Sequence, residues 1–191
     1  AVSSIVAWLT FFRSGTVEMT QPTTIFFGPD GGIGDVPKPP KVFLRALLFS
    51  TSKRGRIIEN MYVSLKRHES KQNFNIWSYG NGRIVRGSGI FVGETGVEAN
   101  HHFLTPKEDM DFKFIEGKYS LTVHAKLLGD SASKVLLSQE LEITRDLAIA
   151  LQNPKAGLYF DWSPDSARYS HHLDIYQERI DASDLLMRAR L

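Results

Sequence analysis

The chain has 191 residues, enough for one domain of about 100–150 residues with appended segments. Its 23 basic and 21 acidic residues balance too evenly to indicate nucleic acid as a default partner, and none is expected. The absence of cysteine excludes disulfides, thiolate metal ligands and cysteine nucleophiles.

The first predicted element is an apolar segment at 1–14, in which residues 1–12 carry no charge and are followed by Arg13. As a helix, such a run reaches only about 18 Å, short of a hydrocarbon core of roughly 30 Å. Two interpretations stay open: the second half of a transmembrane helix, or a strand or short helix packed on the domain's own core. The first would anchor the protein in a membrane, on the cytoplasmic face or in a bacterial-type envelope.

Residues 15–40 are predicted to hold a strand followed by a linker. Polar and apolar side chains alternate over 16–21 and again after Pro22, which lacks an N–H donor and therefore marks a sheet edge or a bend. Glycines and prolines dominate 28–40, as expected for a turn and an extended linker. We place the main domain at 41–172.

Period-two alternation and turn residues divide the main domain into short elements. Asn81 and Gly82 give the strongest hairpin signal, because a type I′ turn needs positive φ at both central residues. The predicted strands are 41–51, 56–67, 74–79, 83–92, 112–128, 134–144 and 158–162. A short helix is predicted at 145–152, and a helical tail at 173–191.

About seven or eight short strands separated by turns predict a mainly β fold, an antiparallel β-sandwich with short helical appendages. Residues 114–123 (FIEGKYSLTV) resemble the tyrosine-corner segment of immunoglobulin-like and fibronectin-type-III domains. In those domains a turn glycine precedes a tyrosine whose hydroxyl bonds back to nearby backbone, a role that falls here on Gly117 and Tyr119. Leu121 then stands where immunoglobulin domains carry a cysteine, and Trp77 at their core tryptophan. The resemblance implies an immunoglobulin-like sandwich and implies no function.

The segment least like scaffold is 157–172, which combines acids, imidazoles, an arginine and aromatic rings. Four of its side chains are candidates for acid–base catalysis in a hydrolase: Asp161, Asp165, His171 and His172. The alternative is a surface turn at 163–166 between aromatic strands, which accounts for Pro164 and its neighbouring serines without any ligand.

Aromatic and basic side chains are the candidates for binding. An aromatic platform for a glycan or a peptide would use Trp77, Tyr79, Tyr159 and Trp162, with Arg168 as a further binding candidate, although such aromatic residues are more often core. A basic turn would sit against an anionic membrane surface through Lys53, Arg54 and Arg56, although a solvated hairpin tip is the ordinary interpretation.

Metal and cofactor sites have little support in the sequence. Adjacent residues of a strand point to opposite faces, so neither the 101–102 nor the 171–172 histidine pair can chelate one ion from a strand. The glycines of 87–96 are not followed by a helical pattern, as a phosphate-binding loop requires. No cofactor and no metal are therefore expected.

These patterns lead to one main expectation and two alternatives. The main expectation is a non-enzymatic binding or structural domain with an unidentified protein or glycan partner, which the first interpretation of 1–14 would tether to a membrane. The alternatives are a hydrolase that uses the 161–172 cluster and a carbohydrate-binding module.

Overall fold

The computed structural model describes residues 15–31 and 38–175, which form two antiparallel sheets packed face to face. The predicted mainly β fold with two antiparallel layers is confirmed. The apolar segment at 1–14 and most of the predicted helical tail, from residue 176 onward, lie outside the described residues. Within the described residues, no helix is long and apolar enough to cross a membrane.

The described ranges contain thirteen strands, one 3-10 turn (Lys107–Asp109) and one short helix, α1 (Arg145–Ala150). The strands are β1 (Val17–Met19), β2 (Thr24–Pro29), β3 (Pro40–Ser50), β4 (Arg56–Arg67), β5 (Ser70–Phe74), β6 (Ile76–Gly80), β7 (Val85–Arg86), β8 (Ile90–Val92), β9 (Val97–Leu104), β10 (Gly117–Leu127), β11 (Lys134–Ile143), β12 (Ala156–Ser163) and β13 (Arg168–Ile175).

The larger sheet has the order β13-β12-β2-β3-β9-β6-β7, and β1 pairs with β3 beside this path. The smaller sheet has the order β11-β10-β4-β5, and β8 pairs with β4. Residues 15–31 thus contribute two strands to the larger sheet, where β2 lies between β12 and β3.

The core lies between the sheets and is built by alternation. Every second residue of β3 is buried, including Val42 and Leu44, and β10 alternates in the same way through Leu121 and Val123. A fully buried side chain of this size stabilises the fold by about 1.5–3 kcal/mol relative to an exposed one. Because the period is two, the same alternation sends the remaining side chains of β3 to the outer face of the larger sheet.

The predicted tyrosine-corner contact is present. The Tyr119 hydroxyl donates to the carbonyl of Ile115 at 2.9 Å and accepts from the Ile115 amide at 3.0 Å. Gly117 has φ of 143°, a conformation that side chains rarely adopt, and a Cβ there would lie 2.9 Å from Cδ of Arg67. The glycine and the tyrosine together therefore hold the entry to β10, which begins at Gly117 and not at residue 112 as predicted.

The prediction that 83–92 is one strand paired with 74–79 is wrong. Only β7 pairs with β6, whereas β8 pairs with β4 in the opposite sheet. The chain changes sheets at Gly87, where a Cβ would lie 2.1 Å from the Trp77 ring. Alternation could not reveal this, because it reports which face is buried and not which sheet the strand joins. β9 and β13 were missed altogether.

The tyrosine-corner contact gives a test of stability. Replacing Tyr119 with Phe keeps the ring in the core but removes both hydrogen bonds to Ile115, so the free energy of unfolding should fall by about 1–2 kcal/mol in urea titrations. Tyr62→Phe is the control, since within the described ranges no hydrogen bond involves the Tyr62 hydroxyl, and it should change stability by less than about 0.5 kcal/mol. Equal losses in both variants would contradict the role given to Tyr119.

Candidate functional site

One row of aromatic side chains crosses the outer face of the larger sheet. Opposed residues on antiparallel strands share a face, and the register opposes Tyr159 to His172 on one side and to Phe26 on the other. Phe26 is in turn opposed to Phe43, and Phe43 to His102. We call His172, Tyr159, Phe26, Phe43 and His102 the aromatic row. It covers four strand spacings, or about 19 Å.

The rings of the row contact one another in two groups, one of Phe26, Tyr159 and His172 and one of Phe43 and His102. Tyr159 and His172 stack with centroids 5.0 Å apart and planes 6° from parallel. Phe26 lies 4.8 Å from Tyr159 at a tilt of 57°, and Phe43 lies 5.0 Å from His102. Three of the five, Tyr159, Phe43 and His102, are half-buried, and His172 is exposed.

Phe26 forms the floor of the row. Its ring lies against two glycines, so that a Cβ on Gly28 would come within 2.5 Å of the ring and one on Gly157 within 2.2 Å. The Lys41 ammonium lies 5.5 Å from the ring centroid, and Phe26 is only 9% exposed. The glycines therefore let an aromatic ring lie flat on the sheet where other residues would lift it.

Polar groups border the row on one side. Asp161 accepts a hydrogen bond from the Thr24 hydroxyl at 3.0 Å through Oδ1 and contacts Nδ1 of His172 at 2.9 Å through Oδ2. Further along the same border, Arg45 donates from Nε to Glu98 at 2.9 Å. Asp161 follows Tyr159 by two positions, and Arg45 follows Phe43 by two. Because residues two positions apart on a strand share a face, both pairs place hydrogen-bonding atoms directly beside the rings.

Two groups of the row have perturbed titration. Burial, helped by the nearby Asp174 and Asp161 carboxylates, raises the pKa of Tyr159, so its hydroxyl remains a hydrogen-bond donor. Burial lowers the pKa of His102, and the Lys41 ammonium lowers it further against the opposing effect of Asp30. His102 is therefore a neutral ring near pH 7.

The structure brings together two of the four predicted acid–base residues. Asp161 and His172 form the pair described above, but His171 is opposed to Phe160 and so points to the other face. Asp165 is exposed in the turn that joins β12 and β13. The side chains of Asp161 and His172 are themselves 43% and 57% exposed, so the pair is open to water.

The predicted four-residue aromatic platform does not form, because its members face different ways. Trp77 is buried in the core, with Tyr79 stacked on it at 5.0 Å. Trp162 is opposed to Tyr169, on the face opposite to Tyr159. Of the four, the outer aromatic row contains Tyr159 alone.

Three members of the row were missed in the sequence, namely Phe26, Phe43 and His102. Alternation in 23–27 and 41–51 places both phenylalanines opposite the core-facing positions, which was the available signal. Which residues stand beside each other across strands is set by register, and register between distant segments is not encoded locally.

The remaining candidates are dispersed. Arg168 is exposed at the start of β13, and Lys53 and Arg54 are exposed in the turn before β4. The Arg56 guanidinium is already hydrogen-bonded within the domain, since Nη1 donates to the Gly15 carbonyl at 2.8 Å and Nη2 to Asp130 at 2.7 Å.

The adjacent histidines point to opposite faces, as predicted. His101 is buried and accepts at Nδ1 from the Trp77 indole at 3.3 Å, whereas His102 lies in the outer row. Across 15–31 and 38–175, no group of three or more metal-ligating side chains is close enough to hold an ion.

The smaller sheet carries a second Tyr–His stack on its own outer face. Tyr62 and His124 stack at 4.5 Å and 7°, and Nε2 of His124 lies 3.2 Å from the Ser64 hydroxyl. Beside them is a shallow, open cavity of about 530 Å³. It is lined by Glu59, Asn60, Tyr62, Gly87, Ser88, Lys126 and Ser133. Among the residues that the structure describes, no further ring contacts this stack, so it serves as a control for Tyr159 and His172.

Comparison of the chain with protein-family models, with curated proteins and with solved structures gives no match in any of the three.

The buried His101 predicts a loss of stability in mild acid. Burial, with a smaller contribution from His102, lowers its pKa from 6.5 to about 4. Between those values the unfolded chain binds a proton that the folded chain does not, so stability is lost as the pH falls from 6.5 towards 4. At pH 5 the loss due to this residue should be about 2 kcal/mol, measured by urea unfolding against pH 7.5.

The matched variant is His101→Gln, which keeps an acceptor for Trp77 but cannot titrate. It should remove most of that pH dependence and leave a smaller loss of the same sign from His102 and His124, whose pKa values burial also lowers. An unchanged pH profile in this variant would refute the assignment.

Proposed function

We propose that this chain is a non-catalytic binding domain whose aromatic row receives a glycan. The single observation that carries the proposal is the alignment of five rings across neighbouring strands, with hydrogen-bonding side chains along one border.

The chemistry of a sugar ring suits such a face. A pyranose has apolar C–H surfaces and a rim of hydroxyl groups, so it can lie on the electron-rich faces of aromatic rings while its rim meets donors and acceptors. Asp161 and Arg45 on the border supply both kinds of group. The strand backbone holds the rings in place before binding, and Gly28 and Gly157 do so for Phe26. The conformational entropy lost by these side chains on binding is therefore small.

The exposed length of the row favours an extended ligand over a single sugar. Tyr159 and His172 form one end and Phe43 and His102 the other, with Phe26 recessed between them. A chain of several sugar units would engage both ends, whereas one unit would cover only one.

The second candidate function is a hydrolase centred on Asp161 and His172, which the 2.9 Å contact favours. General acid–base catalysis needs a positioned partner for the pair and a site that excludes water. The open position of the pair and the separation of His171 and Asp165 from it are the reasons that we place binding first.

We also propose that the two-sheet fold is immunoglobulin-like. The support is the Tyr119–Ile115 contact, together with the buried positions of Leu121 and Trp77 where the resemblance puts core residues. The larger sheet, with eight strands, exceeds the usual immunoglobulin complement and makes the extended outer face possible.

The experiment is a glycan-array screen of the full chain, followed by calorimetry on the best ligand. Tyr159→Ala and Phe43→Ala should each weaken binding by about tenfold or more, because each removes one end of the row. Tyr62→Ala, which removes the equivalent ring from the isolated stack on the other sheet, should leave affinity within about twofold.

Equal weakening by Tyr62→Ala, or binding unaffected by the row variants, would contradict the proposal. Slow consumption of the bound glycan, lost in Asp161→Asn, would replace it with the hydrolase.

A further inference from the structure

A second surface lies at the end of the sandwich where the turn between β3 and β4 meets β8 and the end of β10. Three large apolar side chains project there: Phe91 is 60% exposed, Leu128 55% and Ile57 40%. Monomeric domains seldom leave such residues clustered in water. We call these three, with Lys53 and Arg54, the apolar–basic tip.

The three apolar residues are neighbours. Phe91 is directly opposed to Ile57 across β8 and β4, so their side chains share a face. The Leu128 amide donates to the Ile57 carbonyl at 2.9 Å, which places Leu128 beside them at the end of β10.

The apolar cluster adjoins the basic turn. The Phe91 ring packs on Gly55, where a Cβ would lie 2.5 Å from ring atom Cζ and where φ is +67°. Gly55 follows Lys53 and Arg54 by two positions and one, so two exposed cations stand at the edge of the apolar cluster.

The charge around the tip is mainly positive. The turn from 51 to 56 carries Lys53, Arg54 and Arg56 and no carboxylate. Asp130 is already paired with Arg56 at 2.7 Å, and its backbone carbonyl accepts from Lys126.

The chain enters the described domain at this tip. Gly15 accepts from Arg56 and lies against Ser52, whose Cβ would be 2.4 Å from a Cβ at Gly15. Only residues 13 and 14 separate Gly15 from the uncharged apolar run at 1–12. Three extended peptide steps reach no more than about 11 Å. The covalent link between the apolar run and the tip is therefore short.

We propose that the apolar–basic tip docks on an anionic lipid bilayer. Phe91, Ile57 and Leu128 enter the boundary between headgroups and acyl chains, and Lys53 and Arg54 lie against the lipid phosphates. The covalent neighbour favours lipid over a protein partner, because a long uncharged apolar run followed by Arg13 has the composition of a segment at a membrane interface.

The experiment uses the full chain and exploits its lack of cysteine, since one introduced thiol can be labelled alone. Leu128→Cys places an environment-sensitive fluorophore on the tip. Glu69→Cys places it in the turn between β4 and β5, at the far end of β4 and about 40 Å away along a 12-residue strand. Each is mixed with vesicles of phosphatidylcholine alone and of phosphatidylcholine with phosphatidylglycerol.

The tip label should shift to the blue and brighten on the anionic vesicles, with little change on neutral ones and none at residue 69. On the Leu128→Cys background, Lys53→Gln should reduce the apparent partition constant by about fivefold. Phe91→Asp on that background should abolish the shift, and its thermal unfolding checks that the domain remains folded.

A shift of equal size at residue 69, an equal shift on neutral vesicles, or a tip label that stays in water would each overturn the proposal. Vesicles that retain the protein while the tip label reports water would show an anchor elsewhere in the chain and no docking of the tip. None of these results bears on glycan binding by the aromatic row, which is measured without lipid.

Discussion

The structure depends on one constraint, the burial of every second side chain of its central strands between two sheets. β3 contributes Val42 and Leu44 from one side, and β10 contributes Leu121 and Val123 from the other. Because strand side chains alternate, filling this interior also decides which residues face outward. A slip of one residue in β2 would turn Ile25 and Phe27 away from the core and bring Thr24 and Gly28 towards it, so the hydrophobic cost of slipping protects the outer face as well as the core. The register that packs the core thus also fixes the positions of the residues in the aromatic row.

The tyrosine corner and the glycines adjust this frame locally. Tyr119 ties the approach to β10 to the strand itself, and Gly87 lets the chain pass beneath Trp77 into the other sheet. That crossing brings Phe91 to Ile57 and so creates the apolar cluster at the end of the sandwich. The same crossing between the two sheets therefore forms part of the apolar–basic tip, the surface that we propose docks on a bilayer.

The two proposed surfaces are compatible in one orientation. β3 and β4 meet at the basic turn, so with the tip on a bilayer both strands run away from it. Phe43 lies seven positions before Ser50, or about 23 Å from the tip along β3. The aromatic row would then stand clear of the headgroups and face sideways, where it could meet a glycan lying along the membrane.

Sequence alone determined the strand-rich character, the alternation that selects the core, and the Tyr119 contact, because each depends on residues within a few positions of one another. It also singled out Tyr159, Asp161, His172 and the basic turn as unlike scaffold. Only the tertiary structure decided which of these meet: it paired Asp161 with His172, turned His171 and Trp162 away, and set Tyr159 beside Phe26. The first two outcomes follow from the register between the neighbouring strands β12 and β13, and the last from the pairing of β12 with β2, which lies more than a hundred residues earlier. Both registers are fixed by the packing of the whole interior and not by any local pattern.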